Sequence, residues 1–248
     1  MLSAFRLTVG GDVVEVPHPA QRLLALLALK HHPLLRAYVA GTLWLDNSED
    51  RAGGNLRSVL WRLRGQGLSV IRLRNGAVEL APEVCVDLHD AAALAHRWLA
   101  GLVTDADVAA GTRALEGEVL PDWYDDWASD ERERFRQLRL HALEAMAERL
   151  SASGRWADAV LAALAALAAD PLRESAHRAV IKVHLAEGNL AEAIRQLHRC
   201  ERLMIEEVGV LPSSLLSELI PAAASSDPRE PRPSPGATAE RPGRRFTG

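Results

Sequence analysis

The second half of the chain repeats itself with a period of 34 residues, and this repeat limits the fold more than any other sequence feature. A shift of 34 positions places Gly154 on Gly188 and Trp156 on Leu190, with several alanine pairs around them. Repeats of this length consist of helices that bury their apolar faces only when neighbouring repeats stack. Small residues let the helices approach closely, and glycine ends the first helix of each pair. The repeat therefore predicts stacked helix pairs.

Capping signals divide residues 82–220 into further helices. Thr104 and Asp107 form a capping pair, and Ser129–Glu131 places acidic residues in the first turn of a long helix. Asp170-Pro171 predicts the end of one helical unit and the start of the next, with the aspartate as cap of the next helix and the proline in its first turn. Because 34 residues is the tetratricopeptide period, we expect an all-α, tetratricopeptide-like domain here.

The first part of the chain changes periodicity several times. Alternating apolar residues on both sides of Gly10-Gly11 predict a hairpin, and Asn75-Gly76 between two alternating runs predicts a second one. Between them, apolar residues at helical spacing predict three helices, over about 20–30, 35–44 and 51–64. The second and third helices, with their short connection, match a helix-turn-helix, and the closing hairpin is expected to form its wing.

These patterns predict a mainly α protein with three segments. Residues 1–81 are expected to form a winged helix-turn-helix DNA-binding domain with small β hairpins, and residues 82–220 the helical domain. Residues 221–248 contain six prolines among Ser, Ala, Gly and Arg. Such a composition cannot bury a core, so we expect a disordered tail.

The net charge of −4 is distributed unevenly along the chain. Residues 1–81 carry ten basic and six acidic side chains, whereas residues 82–220 carry fourteen basic and twenty-four acidic ones. Between positions 51 and 78 there is no acidic residue, and there are six arginines: Arg51, Arg57, Arg62, Arg64, Arg72 and Arg74. A basic segment joined to an acidic one indicates that the basic segment binds an anionic partner. The alternative interpretation is a basic face that only contacts solvent.

The leucine face of the third helix centres on Leu56 and Leu63 at 100° per residue. The opposite side and its flanks carry side chains suited to the major groove, where arginine pairs with guanine and asparagine with adenine. These candidates are Arg51, Asn55, Arg57, Ser58, Trp61, Arg62 and Arg64. Arg72 and Arg74 share one face of the following strand, from which they can reach phosphates or the neighbouring minor groove.

Two features of the third helix have alternative interpretations. Trp61 can contact a thymine methyl group, or it can pack against the helical domain. Gly53-Gly54 can let backbone amides approach a phosphate at the helix start, or these glycines can simply weaken that turn. The sequence leaves both pairs of alternatives open.

Several function classes have no support in the sequence. It contains no glycine-rich phosphate loop ending in Lys-Ser or Lys-Thr, no nucleophile elbow and no paired-His zinc helix. Cys85 and Cys200 lie 115 positions apart, which does not suit a thiolate metal cluster and fits a reducing cytoplasm. The longest apolar run has eleven residues, too few to cross a bilayer. We therefore expect no enzyme activity, cofactor, metal site or membrane span.

Several stretches of the chain resemble a family of bacterial regulators. The chain is similar, from about Phe5 to Ser217, to the SARP (Streptomyces antibiotic regulatory protein) family, whose members join an OmpR/PhoB-type winged helix to a bacterial transcriptional activator domain (BTAD). The stretches that carry the resemblance are 21–27 (QRLLALL), Leu43-Trp44, 55–64, 121–149, 170–178 and 209–213.

The resemblance implies a transcriptional activator that binds direct repeats in double-stranded promoter DNA and recruits RNA polymerase. By family analogy, tandem DNA repeats imply side-by-side protomers and so a homodimer on such sites. The DNA contacts that the resemblance implies fall on Arg57, Ser58, Trp61 and Arg62 of the third helix and on Arg72 and Arg74 of the wing. Two alternatives stay open: a tetratricopeptide-type protein-interaction adaptor with weak or lost DNA binding, and a repressor.

Overall fold

The computed structural model describes residues 1–220 and is mainly helical. The amino-terminal part contains β1 (Thr8–Val9), β2 (Asp12–Val13), α1 (His18–Lys30), β3 (Leu34–Leu35), α2 (Arg36–Leu43), α3 (Glu49–Gly65), β4 (Ile71–Arg74) and β5 (Ala77–Leu80). The part that follows contains α4 (Asp87–Ala100), α5 (Asp105–Ala110), a 3₁₀ helix (Gly111–Leu115), α6 (Asp126–Ala152), α7 (Trp156–Ala169), α8 (Glu174–Glu187), α9 (Leu190–Val208) and α10 (Ser214–Ser217). The expected disordered tail, 221–248, lies outside the described residues.

Both predicted hairpins are present, and both turn on residues in the left-handed region. Gly10 and Gly11, at φ 61° and 99°, connect β1 to β2. Asn75 and Gly76, at φ 52° and 78°, connect β4 to β5, as a two-residue turn with positive φ at both positions requires. The first hairpin is shorter than its alternating pattern indicates, because each of its strands has only two paired residues.

A third strand joins the second hairpin and was not predicted from the sequence. β3 pairs antiparallel with β5, so the sheet order is β3-β5-β4. A strand of two residues is too short to show a period-2 pattern, so no alternation indicates it. The backbone amide of Arg36, at the start of α2, donates to the carbonyl of Gly76 at 3.2 Å. This bond ties the turn of the second hairpin to the helices.

Several helix boundaries differ from the predicted ones, among them the starts of α3, α6 and α8. α3 begins at Glu49 rather than Arg51, because Ser48 takes the extended N-cap conformation and two acidic residues occupy the first turn. α6 begins at Asp126, three residues before the predicted start. Asp170 does not cap α8: it is the C-cap of α7, and α8 begins only at Glu174. The expectation that Asp170-Pro171 ends one helical unit is therefore confirmed, and the expectation that Asp170 caps the next helix with Pro171 in its first turn is wrong.

The capping and glycine signals of the later helices are confirmed. Thr104 and Asp107 form a reciprocal capping box at the start of α5. Gly188 is the left-handed C-cap of α8, and Gly154 takes φ 76° in the turn between α6 and α7. The equivalent glycines of the 34-residue repeat thus end the first helix of each pair, α6–α7 and α8–α9.

The amino-terminal part packs directly on the helices that follow. Buried residues of α1, α3, α4 and α6–α8 belong to one continuous apolar cluster. Polar contacts cross the same junction: Arg22 of α1 forms an ion pair with Asp125, and Lys30 contacts Glu131 at 3.1 Å. The ring Nε2 of His89 on α4 lies 2.7 Å from the carbonyl oxygen of Ala28 on α1. Within residues 1–220, no helix has the length and apolar character needed to cross a membrane.

Candidate nucleic-acid interface

α3 has one buried side and one exposed side. Its buried residues, which pack in the core with α1 and α2, are Ala52, Leu56, Val59, Leu60 and Leu63. The predicted contact residues on the other side are exposed except for the partly buried Asn55: Arg51, Arg57, Ser58, Trp61, Arg62 and Arg64. The leucine face predicted from the sequence is therefore confirmed, and the side opposite it is open to a partner.

The four arginines of α3 have no acidic partner among residues 1–220. No ion pair in this part of the chain involves Arg51, Arg57, Arg62 or Arg64. Two acidic residues at the junction, Asp125 and Glu131, are paired with Arg22 and Lys30 of α1 and not with α3. The junction between the two parts thus leaves the positive charge of α3 uncompensated on the surface.

Trp61 is 74% exposed, the second-largest exposure of an aromatic ring in the described chain after Tyr124. This exposure overturns the interpretation in which Trp61 packs against the helical domain. An exposed indole between Arg57 and Arg62 gives the surface an apolar flat ring among charges. Such a ring is available for contact with an apolar group of a partner.

Ser58, Gly53 and Gly54 make contacts within α3 itself. The Ser58 hydroxyl donates to the carbonyl of Gly54 at 3.0 Å, so only its oxygen lone pairs remain open to a partner. A Cβ built on Gly53 or Gly54 would lie 3.6 or 3.7 Å from the guanidinium nitrogens of Arg57. The side chain of Arg57 therefore lies along the helix, above the glycine pair.

The idea that the glycine amides meet a phosphate is wrong. Hydrogen bonding within α3 starts at Ala52, whose amide donates to the carbonyl of Ser48 at 2.9 Å. The amides without an intrahelical acceptor are those of the first turn, Glu49, Asp50 and Arg51, which lie before the glycines. A phosphate at that end would also approach the carboxylates of Glu49 and Asp50.

The predicted face of β4 is confirmed. Arg72 and Arg74 are exposed, whereas Ile71 and Leu73 between them are partly buried and pack against the core. Arg72 lies opposite Glu79 of β5, and its Nε is 3.5 Å from a Glu79 carboxylate oxygen. Glu79 was not among the predicted site residues, although a two-residue turn at Asn75-Gly76 fixes this register and so implies the pair. Arg74 has no ion pair among residues 1–220.

The arrangement offers cations and hydrogen-bond donors to a partner. Within the described residues, no group of three or more His, Cys, Asp or Glu side chains could hold a metal ion. Guanidinium groups present planar forks of N–H donors that match phosphate and guanine edges. An exposed helix with four such groups is suited to binding an anionic surface.

Comparison with known proteins identifies the class to which this fold and surface belong. Residues 86–222 match the family described as "Bacterial transcriptional activator domain", which is more than half of the chain. The chain belongs to this family.

Individual relatives support the same class. The regulatory protein AfsR of Streptomyces coelicolor is 30% identical over 234 residues, which cover 88% of this chain and 23% of the relative. AfsR of Streptomyces griseus is 26% identical over 247 residues, which cover 94% of this chain and 25% of the relative. The chain thus spans about a quarter of the length of these relatives.

A solved structure shares the fold. It is Mycobacterium tuberculosis EmbR in complex with a low affinity phosphopeptide, with a TM-score of 0.64 and 20% identity. The alignment covers 88% of this chain and 62% of that one. The likeness concerns the fold alone.

Proposed function

We propose that the protein is a sequence-specific DNA-binding transcriptional activator of the cytoplasm. Residues 1–81 form a winged helix-turn-helix, with α2 and α3 as the helix pair and β4–β5 as the wing. Residues 82–220 form the tetratricopeptide-like BTAD. Two protomers bind direct repeats in a promoter side by side, and the complex recruits RNA polymerase.

One observation carries this proposal: the four arginines of α3 are exposed and unpaired within residues 1–220, on the side opposite its buried leucines. A solvated basic face is usually interspersed with acidic residues that offset its charge. Within residues 1–220 no acidic side chain pairs with these arginines, and the two acids that meet the amino-terminal helices, Asp125 and Glu131, pair with α1, so the charge of α3 is available to an external anion. Duplex DNA is the anion whose major groove admits a helix of this size.

The exposed side chains fit separate tasks in such a complex. Arg57 and Arg62 reach guanine edges, and Asn55 on the flank reaches adenine. Trp61 contacts a thymine methyl group, and Ser58 accepts a hydrogen bond from a base amine. Arg51, Arg64 and the wing residues Arg72 and Arg74 bind phosphates or the neighbouring minor groove, which sets the register of α3 on the duplex.

Fluorescence anisotropy with two labelled duplexes tests the proposal. One duplex carries the DNA upstream of the protein's own gene, and the other carries the same bases in shuffled order. We expect tighter binding to the first, with an affinity that falls steeply as salt rises from about 50 to 200 mM, because bound arginines release counterions from phosphates. Equal affinity for both duplexes would contradict the proposal. A stable protein partner without salt-sensitive DNA binding would support the adaptor alternative.

A further inference from the structure

A cavity of about 470 Å³ lies where the first residues of the chain pass over α1 and the start of α4. Its apolar lining includes Phe5, Leu24, Val70, Leu80 and Val84. Small-molecule sites commonly have volumes of roughly 300–1,000 Å³, a mainly apolar lining and a few polar groups. The proposed DNA complex makes no use of this cavity, which lies at the junction of the amino-terminal part with α4.

The outer wall of the cavity is held in place by the protein itself. The amide of Ser3 donates to the carbonyl of Glu118 at 2.8 Å, and the amide of Val14 donates to that of Leu7 at 2.9 Å. The ring of Phe5 stacks on Trp123, with 6.0 Å between ring centroids. These contacts hold residues 3–7, which form the outer wall, in position. A ligand would therefore enter a cavity that is already formed.

The uncompensated charge at this cavity is positive. Arg6 lines it, is exposed and takes part in no ion pair within the described part of the chain. Asp87 also lines it, but its carboxylate already accepts hydrogen bonds from the amino group of Met1 and the amide of Leu2, at 2.7 to 2.9 Å. A ligand with one anionic group would therefore be attracted by Arg6 and would not displace an existing partner.

We propose that this cavity binds a small amphipathic carboxylic acid. The apolar body packs among Phe5, Leu24 and Val84, and the carboxylate pairs with the guanidinium of Arg6. Because Leu24 belongs to α1 and Val84 leads into α4, a bound acid contacts both parts of the molecule at once. The site is independent of the DNA-binding proposal, and its test uses no DNA.

Isothermal titration calorimetry of the full chain with decanoate tests the site. We expect saturable binding to the wild type and an affinity about tenfold or more weaker in Arg6→Glu, because a charge-assisted hydrogen bond is lost. Arg202→Glu makes an equal charge change at an exposed arginine of α9 that has no ion pair among residues 1–220, and it should leave the affinity unchanged. The uncharged 1-decanol should bind the wild type and Arg6→Glu equally. Absent saturation, or equal weakening in both variants, would overturn the proposal.

Alkylation of Cys85 locates the bound acid. Cys85 is exposed and lines the cavity, whereas Cys200 is buried and burial raises the pKa of its thiol to about 11. Iodoacetamide should therefore modify Cys85 first, and decanoate should slow that reaction in step with its calorimetric saturation. An unchanged rate at saturating decanoate would place the acid elsewhere and refute the site. If circular dichroism shows that Arg6→Glu is unfolded, Arg6→Gln replaces it with the same expectation.

Discussion

Arg57 lies on the flank of α3, with its guanidinium beside the glycine pair and no carboxylate bound to it within residues 1–220. If it pairs with a guanine edge, Arg57→Ala should weaken binding to the preferred duplex by about 1–3 kcal/mol and should relax base preference at one position. Arg202→Ala on α9 is the matched control and should bind as the wild type does. Anisotropy titrations of both variants provide the measurement, and equal affinities would remove Arg57 from the interface.

Gly53 offers a test of how α3 is built. Its backbone is helical, and an added Cβ would make only an ordinary contact of 3.6 Å with Arg57. Gly53→Ala should therefore raise the free energy of unfolding by about 0.5–1 kcal/mol, because alanine loses less backbone entropy in a helix. Gly188→Ala should lower it, since Gly188 has φ 89° at the end of α8. Urea denaturation measures both changes, and a destabilised Gly53→Ala would contradict this account of α3.

At the residue scale, sequence could assign exposed and buried sides but not every contact. The alternation at Arg72 and Arg74 and the leucine spacing of α3 were sufficient to assign the exposed side of each element, because strands and helices have fixed periodicities. The exposure of Trp61 was not predictable, since it depends on where the helical part packs. The hydrogen bond from the Ser58 hydroxyl to the Gly54 carbonyl was not predictable either, because it depends on the side-chain rotamer of Ser58.

The α8–α9 pair contains a buried histidine that couples stability to pH. His177 is 1% exposed, its Nε2 lies 2.9 Å from the Pro171 carbonyl, and its Nδ1 lies 2.7 Å from the amide nitrogen of Gln196. With Nε2–H as donor to Pro171, Nδ1 accepts from Gln196, so the ring is neutral in the folded chain. Burial lowers the pKa of His177, and nearby Arg199 lowers it further, while Glu174 and the Pro171 carbonyl act the other way.

This arrangement predicts acid sensitivity. A folded-state pKa below the ordinary value of about 6.5 means that the unfolded chain binds the proton first. The free energy of unfolding should therefore fall as the pH drops from about 7 to about 5. His177→Gln should reduce the slope of the free energy of unfolding against pH. Part of the slope should remain in this variant, because burial also lowers the pKa of His89. Thermal denaturation across this pH range measures the slopes, and identical slopes for both proteins would refute the role of His177.

At the element scale, sequence located the long elements and missed the boundaries that tertiary contacts decide. The Asn75-Gly76 turn and the Thr104 cap were recognisable, because each needs particular residue types at adjacent positions. β3 was invisible because pairing with β5, rather than its own two residues, defines it. Asp170 was wrongly assigned as the cap of α8. It is the C-cap of α7 and accepts a hydrogen bond from Arg136 of α6, a contact 34 positions away in sequence.

The whole molecule has a core that continues from the amino-terminal part into the later helices. Two segments divided at residue 81 would unfold separately if each had its own core. Because buried residues of α1, α4 and α6 share one cluster, we expect a single cooperative thermal transition for the two parts. Differential scanning calorimetry distinguishes the cases, and two resolved transitions would show that the shared core contributes little to stability.

The most direct test of the central claim separates the position of the α3 arginines from their charge. One triple variant replaces Arg51, Arg62 and Arg64 with alanine, and a second replaces Arg134, Arg155 and Arg202, three exposed arginines of the helical part. For each, the dependence of DNA affinity on salt is measured with the preferred duplex. If α3 binds DNA, the first variant should lose about two from the slope of log affinity against log salt concentration, about one for each of the phosphate contacts of Arg51 and Arg64. The second should keep the wild-type slope. Equal slopes in both variants would contradict the claim that α3 is the DNA-binding surface.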